Sequence, residues 1–234
     1  MTNTSIEATV PTPGNDATDQ ASGTQVPADA SPVEYSAGVV RLGNIHPEAP
    51  AQEEATPDIT DKGDEDLDKK SFADFGVTDP IVDALEDKGI THPFPIQALT
   101  LGPALDRHDI IGQAKTGTGK TLGFGIPVLE DVIAPDEEGY EDLLNPNKPQ
   151  ALIILPTREL TKQVAQDLRD AAKYLSTRIV EIYGGVAFEP QIEALTRGAD
   201  IVVGTPGRLI DLLRKGHLHL SGVETVVLDE ADEM

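Results

Sequence analysis

The segment at residues 114–121, which reads AKTGTGKT, carries side chains suited to binding phosphate. Its glycines let the backbone curl with N–H groups pointing inward, Lys120 can reach phosphate oxygens, and the Thr121 hydroxyl is a ligand for Mg²⁺. The strict P-loop pattern has glycine where this chain has Ala114, and the alternative is a glycine-rich turn without a ligand. The pattern favours a nucleotide-binding loop made of Ala114, Thr116, Gly117, Thr118, Gly119, Lys120 and Thr121.

Two carboxylates near the end of the chain supply a second chemical element. Asp229 and Glu230 directly follow the apolar run 225–228, and a P-loop enzyme needs an acidic residue at a strand end to hold Mg²⁺. Asp229 suits the metal role, and Glu230 is placed to orient or deprotonate an attacking water. Carboxylates at a strand end are usually a solvated cap, but the glycine-rich loop earlier in the chain favours the catalytic interpretation. The predicted catalytic residues are Lys120, Asp229 and Glu230, and the predicted metal ligands are Thr121 and Asp229.

The elements that must position these residues alternate along the chain. Short apolar runs lie at 109–113, 151–155, 178–183, 200–203 and 225–228, and helix-period stretches lie at 80–88, 95–105, 159–174, 189–195 and 208–214. Continuously apolar runs between helices are typical of a parallel sheet buried on both faces. We therefore predict an α/β fold with ligands at the carboxyl ends of its strands, and a surface loop at the acidic, turn-rich segment 134–149.

Charge divides the chain into two parts. There are 18 Lys and Arg residues against 41 Asp and Glu residues, a net charge of −23. Residues 1–70 hold 14 acidic and 4 basic residues with scattered apolar positions, which predicts a disordered acidic tail, because such a segment cannot bury enough surface to offset its chain entropy. Residues 71–234 form the predicted domain. The net negative charge repels nucleic acid at long range, so any nucleic acid must be bound at a local site.

Composition also excludes several classes of protein. The chain has no cysteine, so it has neither disulfides nor cysteine-based metal sites. No basic region followed by an apolar core is seen at the N-terminus, and no apolar run approaches the length of a membrane span. We therefore expect a soluble, cytoplasmic protein that does not bind membranes.

The tetrad at 229–232 reads DEAD, and with AKTGTGKT it resembles two motifs of the DEAD-box RNA helicases. Further elements resemble the family in the same order: GITHPFPIQ at 89–97 the Q motif, PTREL at 156–160 motif Ia, Gly184-Gly185 the GG element, and TPGR at 205–208 motif Ib. The resemblance covers residues 72–234. It implies a RecA-like P-loop NTPase domain that uses ATP and Mg²⁺ and binds RNA.

The resemblance also implies how adenine is recognised. Gln97 would read the base edge through its amide, which offers one donor and one acceptor, and Phe72 would pack near the adenine ring. Ile90 stands where the family often has an aromatic residue, so an aliphatic contact replaces stacking there. The alternative for Phe72 is an ordinary core aromatic.

By the same resemblance, motifs Ia, GG and Ib grip the RNA sugar-phosphate backbone. The residues concerned are Pro156, Thr157, Arg158, Gly184, Gly185, Thr205, Pro206, Gly207 and Arg208. Their charges, hydroxyls and open backbone suit phosphate contacts, which carry no base code, so binding is expected to be independent of RNA sequence. The alternatives are a helix N-terminus capped by Thr157 and a plain loop at 205–208.

The family builds its ATPase site between two RecA-like domains, and the second domain supplies an arginine finger. No segment here resembles that domain or the Ser-Ala-Thr motif that follows the DEAD strand, so the chain is expected to be a first domain cut just after residue 234. An arginine finger contributes about 10³–10⁵ in rate in related NTPases. We therefore expect the chain alone to bind ATP weakly, without useful hydrolysis or unwinding. The whole protein is expected to unwind RNA; the alternative is an ATP-gated RNA clamp or scaffold.

Overall fold

A computed structural model describes residues 70–112 and 119–234, together with the backbone of residues 38–41. The strands are β1 (Gly38–Arg41), β2 (Ile110–Ile111), β3 (Ala151–Ile154), β4 (Ile179–Ile182), β5 (Ile201–Gly204) and β6 (Thr225–Leu228). The α-helices are α1 (Asp79–Glu86), α2 (Pro95–Leu105), α3 (Lys120–Asp131), α4 (Arg158–Ala171), α5 (Glu189–Arg197) and α6 (Pro206–Arg214). Short 3₁₀ turns lie at Ala73–Phe75, Tyr140–Asp142 and Ala231–Glu233.

The strands form one sheet in the order β2-β1-β6-β3-β5-β4. Strand β3 pairs in parallel with both β5 and β6, and β4 pairs in parallel with β5, which confirms the predicted α/β fold with a parallel sheet. Ile154 is in register with both Gly204 and Leu228. The residues that follow these three strands therefore emerge at the same edge of the sheet.

Strand β1 is antiparallel to its two neighbours and was not predicted. Val39 is in register with Val227 of β6 and with Ile110 of β2. The strand lies within the segment predicted to be disordered, so the structure differs from that expectation at residues 38–41. Its Gly-Val-Val-Arg sequence contains two β-branched residues, which pair readily with an open strand edge. The other residues of the predicted tail, except Lys70, lie outside the described residues.

Two apolar clusters lie on the two faces of the sheet. Alternate residues of β3 face opposite sides, so Ile153 joins one cluster and Leu152 the other. The first cluster includes Phe72, Leu101, Phe124, Leu168 and Val227, and the second includes Ile182, Val202, Leu209 and Leu212. The sheet is therefore held from both sides, as its continuously apolar strands predict.

Helix α4 shows how the sequence specifies the helices. Val164 and Leu168 recur at helical spacing and are buried against the sheet, while charged residues occupy the outer face. Thr157 caps the first turn, because its Oγ1 accepts a hydrogen bond of 3.2 Å from the backbone N–H of Leu160. This cap is the alternative role considered for Thr157 in the sequence.

The acidic loop between α3 and β3 is anchored by an ion pair between the partly buried Arg178 and the buried Asp200. Arg178 Nη2 lies 2.6 Å from Oδ1 of Asp200, which is fully buried, and these hydrogen bonds raise the pKa of Arg178. The same guanidinium donates to the Tyr140 hydroxyl at 2.6 Å and to Asn147 Oδ1 at 2.8 Å. The loop predicted at 134–149 is therefore pinned to the starts of β4 and β5.

Within the part of the chain that the structure describes, no helix is long and apolar enough to cross a membrane.

Candidate functional site

The three predicted catalytic residues meet at the carboxyl edge of the sheet. Lys120 is the first residue of α3, and its Nζ lies 2.7 Å from Glu230 Oε1 and 3.9 Å from Asp229 Oδ1. Their side chains are only 15%, 21% and 7% exposed, in the same order. A lysine that is already desolvated and pointed at two carboxylates is well placed to bind phosphate once it leaves them.

Asp229 is held by the end of the sheet. Its backbone N–H donates to Ile154 O at 3.1 Å, which continues the pairing of β6 with β3. Burial raises the pKa of Asp229, and the nearby Glu230 raises it further, while the positive charge of Lys120 and a backbone hydrogen bond from Glu230 lower it. The pKa of Asp229 is raised overall, because removal of the carboxylate from water outweighs the attraction of Lys120.

The few oxygen ligands near Asp229 suit a magnesium ion that arrives bound to the phosphates of a nucleotide. Among residues 70–112 and 119–234, no group of three or more His, Cys, Asp or Glu side chains could hold a metal by itself. Mg²⁺ is commonly held by one or two carboxylates with phosphate and water, so this small set fits it. Thr121, the second ligand predicted from the sequence, lies in the first turn of α3 next to Lys120.

Glu230 has a strained backbone. Its φ of 51° and ψ of 46° place it in the left-handed region, which is uncommon for residues other than glycine. Such a conformation costs on the order of 1–3 kcal/mol and is concentrated at functional sites. The turn at Glu230 reverses the chain after β6, and the side chain meets Lys120 there.

Gly119 lies where no other residue fits without strain. Its φ is +77°, and a Cβ atom there would lie 2.5 Å from Gln97 Nε2 and 3.0 Å from Phe94 Cδ2. Gln97 Nε2 donates to Gly119 O at 2.8 Å, and Gln97 Oε1 accepts from Phe94 N–H at 2.9 Å. The amide of Gln97, which is 1% exposed, thus ties the start of α2 to the start of α3. Its predicted reading of adenine stays a prediction.

Two phenylalanines, Phe72 and Phe94, belong to or precede the 89–97 motif. The exposed one, Phe94, was not predicted as a site residue from the sequence. Phe72 is 1% exposed and lies in the core, which matches the alternative considered for it and leaves no free ring face for a base. Phe94 is 58% exposed and lies beside Gly119. Its position between two prolines at the start of α2 was the available signal, because that context places a side chain outside the helix.

Four residues of the predicted phosphate loop, Ala114, Thr116, Gly117 and Thr118, lie outside the described residues.

The residues predicted to bind RNA come together around the Gly184-Gly185 loop. Both glycines are exposed, and a Cβ atom on Gly185, whose φ is +78°, would lie 3.5 Å from Arg158 Nη1. From the other side, Arg208 Nη2 donates to Val186 O at 2.8 Å. Arg158 is exposed and forms an ion pair with the neighbouring Glu159, whereas Arg208 is 8% exposed. The two arginines thus flank one loop, but only Arg158 is open to solvent.

The TPGR segment begins a helix at the same edge. Thr205 N–H donates to Ile182 O at 2.9 Å, which joins the segment to the end of β4, and Pro206 is the first residue of α6. Gly207 is exposed and has open space around it. Pro156 and Thr157 likewise stand between β3 and α4. All three motifs therefore lie at the edge that carries Asp229, and their contacts with RNA stay predictions.

Known proteins are similar to this chain in sequence and in fold. Residues 94–234 match the family model for the DEAD/DEAH box helicase. DEAD-box ATP-dependent RNA helicase 3B, chloroplastic, from Zea mays is 48% identical over 172 residues, which cover 74% of this chain and 23% of that protein. ATP-dependent RNA helicase RhlB from Proteus mirabilis is 44% identical over 169 residues, which cover 72% of this chain and 38% of that protein.

A solved structure of a related protein is also similar to this chain. The crystal structure of a DEAD box protein from the hyperthermophile Methanococcus jannaschii matches with a TM-score of 0.60 and 38% identity, over 70% of this chain and 42% of that chain. The chain thus spans less than half the length of these relatives. The matched region 94–234 is more than half of the chain and contains the site at Lys120, Asp229 and Glu230. This chain belongs to the DEAD/DEAH box helicase family, with the α/β architecture of its RecA-like domain.

Proposed function

We propose that the chain supplies the ATP- and RNA-binding domain of an ATP-dependent RNA helicase that locally unwinds RNA duplexes. The observation that carries this proposal is the contact of Lys120 with Asp229 and Glu230 at the sheet edge that also bears the Gly184-Gly185 loop. A phosphate-binding lysine and acidic residues at one edge suit nucleotide hydrolysis. A loop flanked by two arginines suits a nucleic acid backbone.

At the nucleotide, Lys120 would exchange its carboxylate partner for phosphate oxygens. That exchange releases Glu230 to orient or deprotonate the attacking water. Thr121 and Asp229 would hold Mg²⁺, which when bound neutralises charge on the phosphates. Gln97 keeps the start of α3 attached to the start of α2, so a base bound near α2 and phosphates bound at α3 would share one rigid frame.

At the RNA, Arg158 and the exposed backbone of Gly184 and Gly185 would contact phosphates. Contacts of this kind position a nucleic acid without reading bases. Since the whole chain carries a net charge of −23, attraction at long range is absent and binding depends on this local surface. A cytoplasmic location stays a prediction, because one of the relatives is named as chloroplastic.

The 234-residue chain alone is expected to bind ATP–Mg²⁺ weakly and RNA detectably, but to show no RNA-stimulated ATP hydrolysis. The reason is the large share of the rate, about 10³–10⁵, that a second domain's arginine contributes in related NTPases. A phosphate-release assay with and without oligouridine measures this, with Glu230→Gln as the background control. Stimulated hydrolysis above that background would contradict the expectation.

The helicase function is tested by fusing the chain to the remaining part of the Proteus mirabilis relative. The fusion is expected to hydrolyse ATP when RNA is added and to displace a short RNA strand, and Glu230→Gln in the fusion is expected to abolish both. A fusion that binds RNA with ATP and hydrolyses it without displacing strands would favour a clamp over a helicase. A fusion that binds RNA but never hydrolyses ATP would contradict the proposal.

Phe94 is proposed as a stacking surface for the base, in place of the buried Phe72. Phe94→Leu is expected to weaken ATP binding about 5- to 150-fold, the loss that corresponds to about 1–3 kcal/mol for one base–aromatic stack. Binding of inorganic triphosphate, measured by competition, should not change, because it has no base. Tyr174→Leu, which alters another exposed aromatic, is the matched control. An equal loss of ATP and triphosphate binding would contradict the stacking role.

A further inference from the structure

Three cations beside the Gly184-Gly185 loop stack on aromatic rings. Lys162 Nζ lies 5.3 Å from the centroid of the Tyr183 ring. Arg208 Cζ and Lys215 Nζ lie 3.9 Å and 3.6 Å from the centroid of the Phe188 ring. Among the residues with described side chains, none of these three cations forms an ion pair.

Aromatic rings, rather than carboxylates, order the cations beside this loop. Acidic residues outnumber basic ones by 41 to 18, yet seven of the fourteen lysines and arginines with described side chains form an ion pair and seven do not. Lys173 shows the other arrangement, because it also stacks on an aromatic ring, that of Tyr174 at 4.7 Å, but pairs with Asp87 at 2.5 Å. A ring orders a cation without neutralising it, whereas a carboxylate does both. The stacked cations near the loop thus keep their charge available for an anion.

Two buried polar atoms at the same loop have no hydrogen-bond partner. Arg208 donates to Val186 O through Nη2, but its Nη1 is unpaired, and Gln191 donates to Tyr183 O through Nε2, but its Oε1 is unpaired. Both side chains are more than nine-tenths buried, and an unmade hydrogen bond there costs about 1–3 kcal/mol. Arg208 and Gln191 thus each donate one hydrogen bond to a carbonyl of the 183–186 turn, and each has a second polar atom without a hydrogen-bond partner.

The ring of Phe188 links the buried Arg208 to the exposed Lys215. Phe188 directly precedes α5, Arg208 lies in the first turn of α6, and Lys215 follows the last residue of α6, about two helical turns further along. Lys215 therefore adds an exposed positive charge beyond the three sequence motifs, and positive charge is what the backbone of a nucleic acid strand requires.

We propose that Lys215 is an additional contact for the phosphodiester backbone of single-stranded RNA, and that Phe188 is the positioning residue that holds Lys215 and Arg208 for it. This inference rests on the proposed RNA-binding function and extends its surface. A small shift of the Gly184-Gly185 loop would expose Arg208 Nη1 to a phosphate oxygen. The buried donor that now lacks a partner would then be satisfied.

The test measures affinity of the 234-residue chain for a fluorescein-labelled oligouridine by anisotropy across a series of salt concentrations. The slope of log affinity against log salt reports the number of phosphates neutralised, at about 0.7 per contact for a single strand. Lys215→Gln is expected to reduce the slope by about 0.7. Lys173→Gln removes the same charge from a stacked lysine that already has a carboxylate partner, and it is expected to leave the slope unchanged.

Phe188 is tested in the same assay with two replacements. Phe188→Leu keeps an apolar side chain but removes the ring, so it is expected to reduce the slope by at least as much as Lys215→Gln. Phe188→Tyr keeps the ring, so its slope is expected to equal that of the wild-type chain. A merely structural role would lower the melting temperature in Phe188→Leu without changing the slope, and that result would overturn the positioning role.

The remaining outcomes separate this inference from the function on which it rests. Wild-type binding with an unchanged slope in Lys215→Gln would overturn the inference and leave the proposed function standing. Failure of the wild-type chain to bind RNA at any salt concentration would contradict the proposed function itself. Displacement of oligouridine by polyglutamate, with equal efficiency from wild type and Lys215→Gln, would also overturn the assignment of Lys215 to RNA.

Discussion

Replacing Lys120 by alanine is expected to weaken ATP–Mg²⁺ binding by about 10- to 100-fold, the value of a charge-assisted hydrogen bond to phosphate. The lysine is the only side chain seen within 4.0 Å of both Asp229 and Glu230 as an ion-pair partner, among the residues the structure describes. Its loss would therefore also leave two carboxylates unscreened against the incoming phosphates. Titration with a fluorescent ATP analogue measures the change.

Lys88→Ala is the matched control for that experiment. Lys88 also pairs with a carboxylate, that of Asp170, but both lie on the outer surface where α1 meets α4. ATP affinity should be unchanged in this variant. Thermal melting of both variants shows whether the fold is kept, and a folded Lys120→Ala chain with wild-type ATP affinity would contradict the assigned role of the lysine.

Replacing Arg178 by methionine is expected to lower the free energy of unfolding by about 3–5 kcal/mol, because it leaves the buried carboxylate of Asp200 without a positive charge to compensate it. The change also removes the hydrogen bonds that fasten Tyr140 and Asn147 to the sheet. Urea titration measures the loss as a lower midpoint with an unchanged slope. Few single replacements in this domain are expected to cost as much.

Two further variants separate the Arg178–Asp200 pair from ordinary surface pairing. Lys173→Met breaks the exposed pair with Asp87 and is expected to leave the urea midpoint nearly unchanged. Asp200→Asn introduced into the Arg178→Met chain is expected to recover part of the lost stability, because the uncompensated charge is then gone. An Arg178→Met midpoint equal to that of Lys173→Met would contradict the account of the loop anchor.

The sequence predicts the sheet well because its strands and helices use simple local patterns. Strands β3, β4 and β6 fall within the apolar runs, β5 ends one residue past its run, and α2 spans the predicted range, since continuous apolar runs and prolines at helix starts act locally. The approach of Lys120 to Glu230 was also predictable. A loop after one parallel strand and carboxylates after another must meet at the same edge.

Features that depend on contacts between distant segments were not predictable. Strand β1 has a tail-like composition around it, and it is a strand because it pairs with β2 and β6, which are distant in sequence. Phe72, expected near the adenine ring, is buried, and Phe94, which the sequence did not single out, is exposed, because burial is decided by packing rather than by residue type. The ring of Phe188 between two cations is likewise invisible in sequence, since Arg208 and Lys215 belong to another helix.

The central claim is that Lys120, Asp229 and Glu230 form the phosphate and magnesium end of an ATP site. The most direct test is an equilibrium titration of the chain with ATP, in Mg²⁺ and again in excess EDTA, for wild type and Lys120→Ala. The account predicts saturable wild-type binding that weakens when Mg²⁺ is removed and is largely lost in Lys120→Ala. Binding that is indifferent both to EDTA and to Lys120→Ala, or no saturable binding of ATP–Mg²⁺ to the folded wild-type chain, would contradict it.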